Sequence, residues 1–252
     1  MSYLRSSTAT GAGPPRAAAR LRVGVPGYAH PLLAPVEWAE LGRPGLPLDW
    51  VALNVAGGPG DRPDPYCGPA VARVRSAGVP VLGLLDLRLG TRDFGELVSD
   101  AHHFLEWYGV DGFYLDRAPG DRAALADTER VTTTLRALGG AGRRLVLAPC
   151  DVPYQGFVEL ADQLVTFNGA WPDYRWSQAP DWTADHPAGR FCHLVHGVPG
   201  GHLDEALRIA RWQGAGTVYL TDRSQRGGLD PWESLPGYWD KIVSKVGPGV
   251  SE

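Results

Sequence analysis

Asp111-Gly112-Phe113-Tyr114-Leu115-Asp116 decides the fold: a short apolar body closed by a carboxylate. A parallel strand buried on both faces reads as such a continuous run. Seven further runs share the form: Val23–Tyr28, Trp50–Asn54, Val81–Asp86, Leu145–Cys150, Leu164–Asn168, Phe191–His196 and Thr217–Asp222. Helical periodicity separates several of them. Leu97, Ala101, Phe104, Leu105 and Tyr108 share one helix face and stop at Gly109. Ala124, Leu125, Thr128, Val131, Leu135 and Leu138 form a second face before Gly139-Gly140. Leu203, Ala206, Leu207 and Ala210 form a third before Gly214. A shorter piece, Phe157–Gln163, links the fifth and sixth strands. Alternating strands and helices in a chain of 252 residues predict a single α/β domain, a (β/α)8 TIM-like barrel. A doubly wound sheet would favour a glycine fingerprint after the first strand, and Pro26-Gly27-Tyr28-Ala29-His30 supplies none.

The expected domain spans 21–246. It follows a Ser-, Gly-, Pro- and Ala-rich lead-in over 1–20, expected to be disordered, and precedes a short tail over 247–252. The lead-in has no apolar core of the secretory type and no run reaches membrane-spanning length, so a cytoplasmic location is the expectation. A net charge of −4 without a basic cluster argues against a nucleic-acid surface. The three cysteines, Cys67, Cys150 and Cys192, have no metal-ligand spacing and are expected as buried thiols, with Cys150 the one placed to act as a nucleophile. No metal or cofactor is called for, since no phosphate-cradling glycine loop is present either.

Barrels of this kind place their chemistry at the C-terminal ends of the strands. The residues closing the runs therefore form a candidate ring: Tyr28, Asn54, Asp86, Asp116, Asp151, Asn168, His196 and Asp222. Asp116, Asp86 and His196 are the candidate catalytic groups. Two carboxylates on adjacent strand ends suit glycoside hydrolysis, where one donates a proton and the other acts as base or nucleophile. The competing role for Asp86 is an ion pair with Arg88 or Arg92. For Asp116 it is a helix cap or a pair with Arg117 or Arg122; for Asp222, a salt bridge or cap. Tyr28, His30, Asn54, Arg92, Arg117, Asn168, Trp171, Tyr219, Asp222 and Trp232 are candidate substrate contacts. Long aromatic loops follow the sixth and eighth runs, and flat rings at a pocket rim stack on sugars. Several of the nine tryptophans would instead bury the outer layers. The expected partner is a small-molecule or saccharide ligand.

Several motifs in order resemble the spherulation-specific (spherulin-4-like) family. They are Val25-Pro26-Gly27-Tyr28 with Pro31, Asn54 through Gly60, Gly83 through Arg92, and Trp107 through Asp116. Val195-His196-Gly197, Val218 through Asp222 and Leu235 through Trp239 continue the match. The resemblance implies a (β/α)8 barrel related to glycoside hydrolases of galactosamine-rich polymers, with Asp116 at the first acidic position. Two departures follow. Arg117 stands where the family pattern has Glu, and Asn168 stands where it has Glu after an aromatic. Arg117 is expected to lower the pKa of Asp116. Three readings remain open: a glycosidase-like enzyme using Asp116 with Asp86 or Asp222 as its second carboxylate, a repurposed enzyme of small-molecule metabolism doing proton transfer, isomerisation, elimination or cyclisation, and a non-catalytic carbohydrate-binding barrel.

Overall fold

Strand 48–53, Leu-Asp-Trp-Val-Ala-Leu, is buried along its whole length, as a strand covered on both faces must be. The other apolar runs form seven more parallel strands, and the eight close into one barrel in sequence order. The computed structural model describes residues 20–27, 29–140, 142–225 and 230–246. The tail over 247–252 and all of the lead-in except residue 20 lie outside the described residues, and so does Tyr28. The strands are β1 (Arg22–Val25), β2 (Leu48–Leu53), β3 (Val81–Asp86), β4 (Gly112–Ala118), β5 (Arg144–Pro149), β6 (Gln163–Ala170), β7 (Phe191–His196) and β8 (Thr217–Leu220). The helices are α1 (Pro35–Leu41), α2 (Cys67–Ser76), α3 (Phe94–His103), α4 (Leu125–Gly139), α5 (Trp171–Tyr174), α6 (Leu203–Trp212) and α7 (Trp239–Val246).

All three periodic faces are helices. The first is α3, continued by a π-helical turn over Phe104–Tyr108 and stopped by Gly109 at φ 60°. The link between β5 and β6 is a 3-10 turn over Gln155–Glu159, so β6 begins at Gln163, where the sequence suggests the end of a helix. β6 also runs on through Gly169 and Ala170 into α5, replacing much of the expected loop. Among the described residues no helix is long and apolar enough to cross a membrane.

The barrel interior is filled rather than hollow. The rings of Trp50 and Tyr114 meet at 5.3 Å, and a Cβ on Gly24 would lie 2.4 Å from the Trp50 ring. Glycine at 24 is the space into which Trp50 packs. At the strand N-termini the interior is polar. The carboxylate of Asp49 accepts from Arg144, from Gln163 Nε2 at 3.2 Å and from Thr217 Oγ1 at 2.6 Å, while Trp50 Nε1 donates to Gln163 Oε1 at 2.7 Å. Burial pushes the Asp49 carboxyl up, but the Arg144, Thr217 and Gln163 donors outweigh it and hold it below the usual range. This satisfied network closes the bottom of the barrel.

Candidate active site

β3 and β4 set the first side-chain group at the mouth. Asp86 is the last residue of β3 and pairs in register with Asp116 of β4. Neighbouring strands lie about 4.8 Å apart, so the two residues are neighbours at the rim, and both charges act on Arg117 and Cys150. Asp116 does not end its strand as the apolar run suggests. β4 continues to Ala118, with a register break between Leu115 and Ala118. Such a bulge re-aims the residues within it. It puts Arg117 at φ 45°, a left-handed conformation for a residue with a Cβ.

The bulge turns the Arg117 guanidinium across to Asp86. Its Nε donates to Asp86 Oδ1 at 2.9 Å, and its Nη2 donates to Oδ2. The expected arginine partner of Asp86 is thus Arg117 rather than Arg88 or Arg92. Arg88 adds a backbone N–H, at 2.8 Å, and a weaker pull from its charge. Burial raises the Asp86 carboxyl, but the Arg117 fork and the Arg88 N–H reverse this and hold it below the usual range. The charge reversal at 117 therefore acts first on Asp86, through the fork, and its charge also couples to that of Asp116.

Cys150, just past β5, shares this field. It is exposed, against the expectation of a buried thiol. Burial of its sulfur and the charges of Asp116 and Asp151 push the thiol above its ordinary value, with Arg117 opposing. A raised thiol is a poor thiolate nucleophile.

The second group stands on β7. His196 ends that strand and is buried, 8% exposed. Its ring meets Trp232 edge-on at 5.9 Å, and Trp232 meets Tyr219 at 5.8 Å. The His196 Nδ1 has no hydrogen-bond partner among the described residues. Burial lowers its pKa and the charges of Asp173 and Asp230 oppose the shift, so the imidazole is neutral at pH 7. Burial raises the Asp230 carboxyl, against the Trp232 N–H and His196. Sequence reading missed Asp230. The signal was its place beside Trp232 in an aromatic loop.

The remaining candidates scatter. Asn168 lies on β6 beside Leu194 of β7 and is half-buried. Asn54 accepts from Gly58 N–H at 3.1 Å and shapes its own loop. Asp222 lies two residues past β8 and accepts from Gly237 N–H at 3.0 Å. Tyr219 is buried and donates to the Ser234 carbonyl at 3.1 Å, so it braces a loop from inside. Trp171 is no rim platform: it is buried at the start of α5 beside Tyr174 and His202. Trp176 is the ring left exposed in that segment. Arg92 is half-buried, its side chain turned in from solvent. It pairs with Asp100, donates to the Asp86 carbonyl at 3.3 Å, and lines a cavity of about 240 Å³ with Phe94, Leu97 and Val131. His30 faces Asp64 and Cys67, residues that the linear spacing does not connect.

Comparison with known proteins places this geometry. The model of the spherulation-specific family 4 matches residues 22–246. Spherulin-4 of Physarum polycephalum is 22% identical over 236 residues, covering 90% of this chain and 70% of the relative. The crystal structure of Aspergillus clavatus Sph3 in complex with GalNAc superposes with a TM-score of 0.77 at 20% identity, covering 90% of this chain and 98% of that one. The β-galacturonidase of Eisenbergiella tayi, bound to galacturonate, has a TM-score of 0.54 at 9% identity and covers 90% of this chain and 51% of that one. These structural likenesses bear on the fold, a barrel shared with sugar-binding proteins.

Proposed function

The chain belongs to the spherulation-specific family 4, and from that premise we propose that it is a glycoside-hydrolase-like barrel enzyme acting on an amino-sugar or sugar-bearing substrate at its C-terminal mouth. The observation that carries the reading is the register pairing of Asp86 with Asp116. Adjacent strand ends bring two carboxylate residues to the same part of the mouth, as a two-carboxylate mechanism requires. The two carboxylates have different surroundings, and different surroundings assign different roles. Asp86, clamped by Arg117, stays ionised and stabilises positive charge developing at a sugar ring. Asp116 is the working acid or base. The GalNAc held by the Sph3 barrel supports an N-acetylated amino sugar as the ligand class.

A second reading draws support from the other side of the mouth. His196 is neutral, and the Asp230 carboxyl beside it is raised. A neutral imidazole and a raised carboxyl suit proton shuttling in an isomerisation or elimination on a small metabolite. One comparison tests both. The protein is incubated with N-acetylgalactosamine oligomers, and turnover is compared for the wild type, Asp116→Asn and His196→Gln. Under the proposed reading Asp116→Asn abolishes hydrolysis with the melting temperature within a few degrees, and His196→Gln retains most of it. Unchanged hydrolysis in Asp116→Asn removes the first reading. Absence of hydrolysis in the wild type, with a solvent-exchange or isomerisation activity lost in His196→Gln, establishes the second.

A further inference from the structure

Away from the Asp86–Asp116 pair, the fold draws three ligand-type atoms together from distant positions. His30 follows β1, while Asp64 lies on the connection from β2 to α2 and Cys67 is the first residue of α2. Nε2 of His30 is 3.4 Å from Asp64 Oδ2 and 3.5 Å from Cys67 Sγ, and all three atoms lie within 4.8 Å of one another. A charged N–H···O bond to a carboxylate closes to about 2.7–2.9 Å, so 3.4 Å is too long for that contact. Another distance scale fits. A tetrahedral zinc ion with bonds of about 2.0–2.1 Å to N and O and about 2.3 Å to S sets ligand–ligand edges of about 3.4 Å for N–O and about 3.6 Å for N–S. Both measured separations match these edges.

We propose that His30, Asp64 and Cys67 form a binding site for a single divalent cation of the zinc class, clasping the β1–α1 turn to the β2–α2 connection. One nitrogen, one oxygen and one sulfur donor suit a borderline ion, and magnesium or calcium would disfavour the thiolate. Cys67 is buried beneath the site, while the His30 and Asp64 side chains keep 16% and 26% exposure. The fourth position therefore faces solvent. Outer contacts fix the carboxylate. Asp64 Oδ1 accepts from Tyr66 N–H at 2.8 Å, the carboxylate also accepts from the Cys67 thiol and backbone N–H, so the ion takes the place of the thiol proton, and the Asp64 N–H donates to Tyr108 Oη at 3.0 Å. Binding releases the thiol proton of Cys67. It also moves the imidazole proton of His30 from Nε2 to Nδ1, so the Leu32 N–H contact to Nδ1, now 3.1 Å, opens.

Cobalt(II) tests the site directly, because thiolate-to-cobalt charge transfer absorbs in the near ultraviolet. The full chain, stripped with a chelator, is titrated with Co(II) and then Zn(II). The expected result is one equivalent bound, with a charge-transfer band that zinc abolishes. Cys150→Ser keeps that band and Cys67→Ser loses it. His30→Gln, altered at a partly exposed position, weakens binding at least tenfold even where Cys67→Ser fails to fold. A wild type without the band overturns the proposal, as does a band that vanishes in Cys150→Ser or affinity unchanged in His30→Gln.

Discussion

Replacing Arg117 once by alanine and once by glycine separates two opposing contributions at the mouth. Either change removes the fork to Asp86. The Arg117 side chain is 53% exposed, so solvent screens the pair and its loss costs about 0.2–1 kcal/mol. The backbone contributes separately. At φ 45° a residue with a Cβ carries roughly 1–2 kcal/mol of strain, which alanine keeps and glycine relieves. Glycine gives back about 0.5–1 kcal/mol through the greater freedom of its unfolded chain. Arg117→Gly should therefore be more stable than Arg117→Ala by about 0.5–1 kcal/mol, and close to the wild type. For a domain of this size that is about 1–4 °C in melting temperature. Urea unfolding of the three proteins at one pH measures it. If alanine equals or exceeds glycine, the bulge at 117 is unstrained and the reasoning fails. Acid titration adds a second readout. The folded Asp86 carboxyl lies below its unfolded value, so its contribution is present at neutral pH and is lost as the pH falls below about 4. Both variants should lose less stability than the wild type across that range.

Two other groups give stability predictions at different places in the barrel. His193 is buried between Tyr174, 2.8 Å from its Nδ1, and Thr166, 3.1 Å from its Nε2, and burial pushes its pKa down to about 3. The unfolded chain binds that proton and the folded one does not, so stability should fall by up to about 1.4 kcal/mol per pH unit below about 6.5. His193→Gln, less stable at pH 7, should show the shallower slope in urea unfolding at pH 7, 6 and 5; parallel slopes would clear His193. At the barrel bottom, Asp49→Ala leaves Arg144, 25% exposed, without its carboxylate and should cost about 3 kcal/mol, the lower end for breaking a buried pair. A loss under about 1 kcal/mol means that water replaces the partner freely.

The strands were legible because burial on both faces writes a local signature, an unbroken apolar run. Side-chain aim has no such signature. Asp86 was readable as a strand end, and so was its neighbour relation to Asp116. Arg117 was readable as a reversed charge, but its target was not, because the bulge after Leu115 turns it onto Asp86. The same limit hid Arg92, Tyr219 and Trp171, which packing turns inward. Their residue types suit a ligand and their positions suit a mouth; only the third dimension shows them bracing neighbouring segments. His30, Asp64 and Cys67 were invisible for another reason. Their convergence rests on β1 and β2 being neighbours, which brings together residues more than thirty positions apart.

The fork at Arg117 also decides what kind of chemistry the mouth can support. A carboxylate that accepts two guanidinium N–H groups is damped as a nucleophile and, held below its ordinary pKa, is no proton donor at neutral pH. If Asp86 is the second carboxylate of a glycosidase, Arg117 restrains it, and Arg117→Ala should raise kcat/KM for an amino-sugar oligomer. If the pair instead works as a fixed element that orients substrate hydroxyls, the same change should lower kcat/KM, chiefly through KM. Asp116→Asn serves as the reference in the same assay, since both mechanisms need that carboxylate. A fall confined to kcat in Arg117→Ala fits neither account, and would place the guanidinium itself on charge that develops only in the transition state.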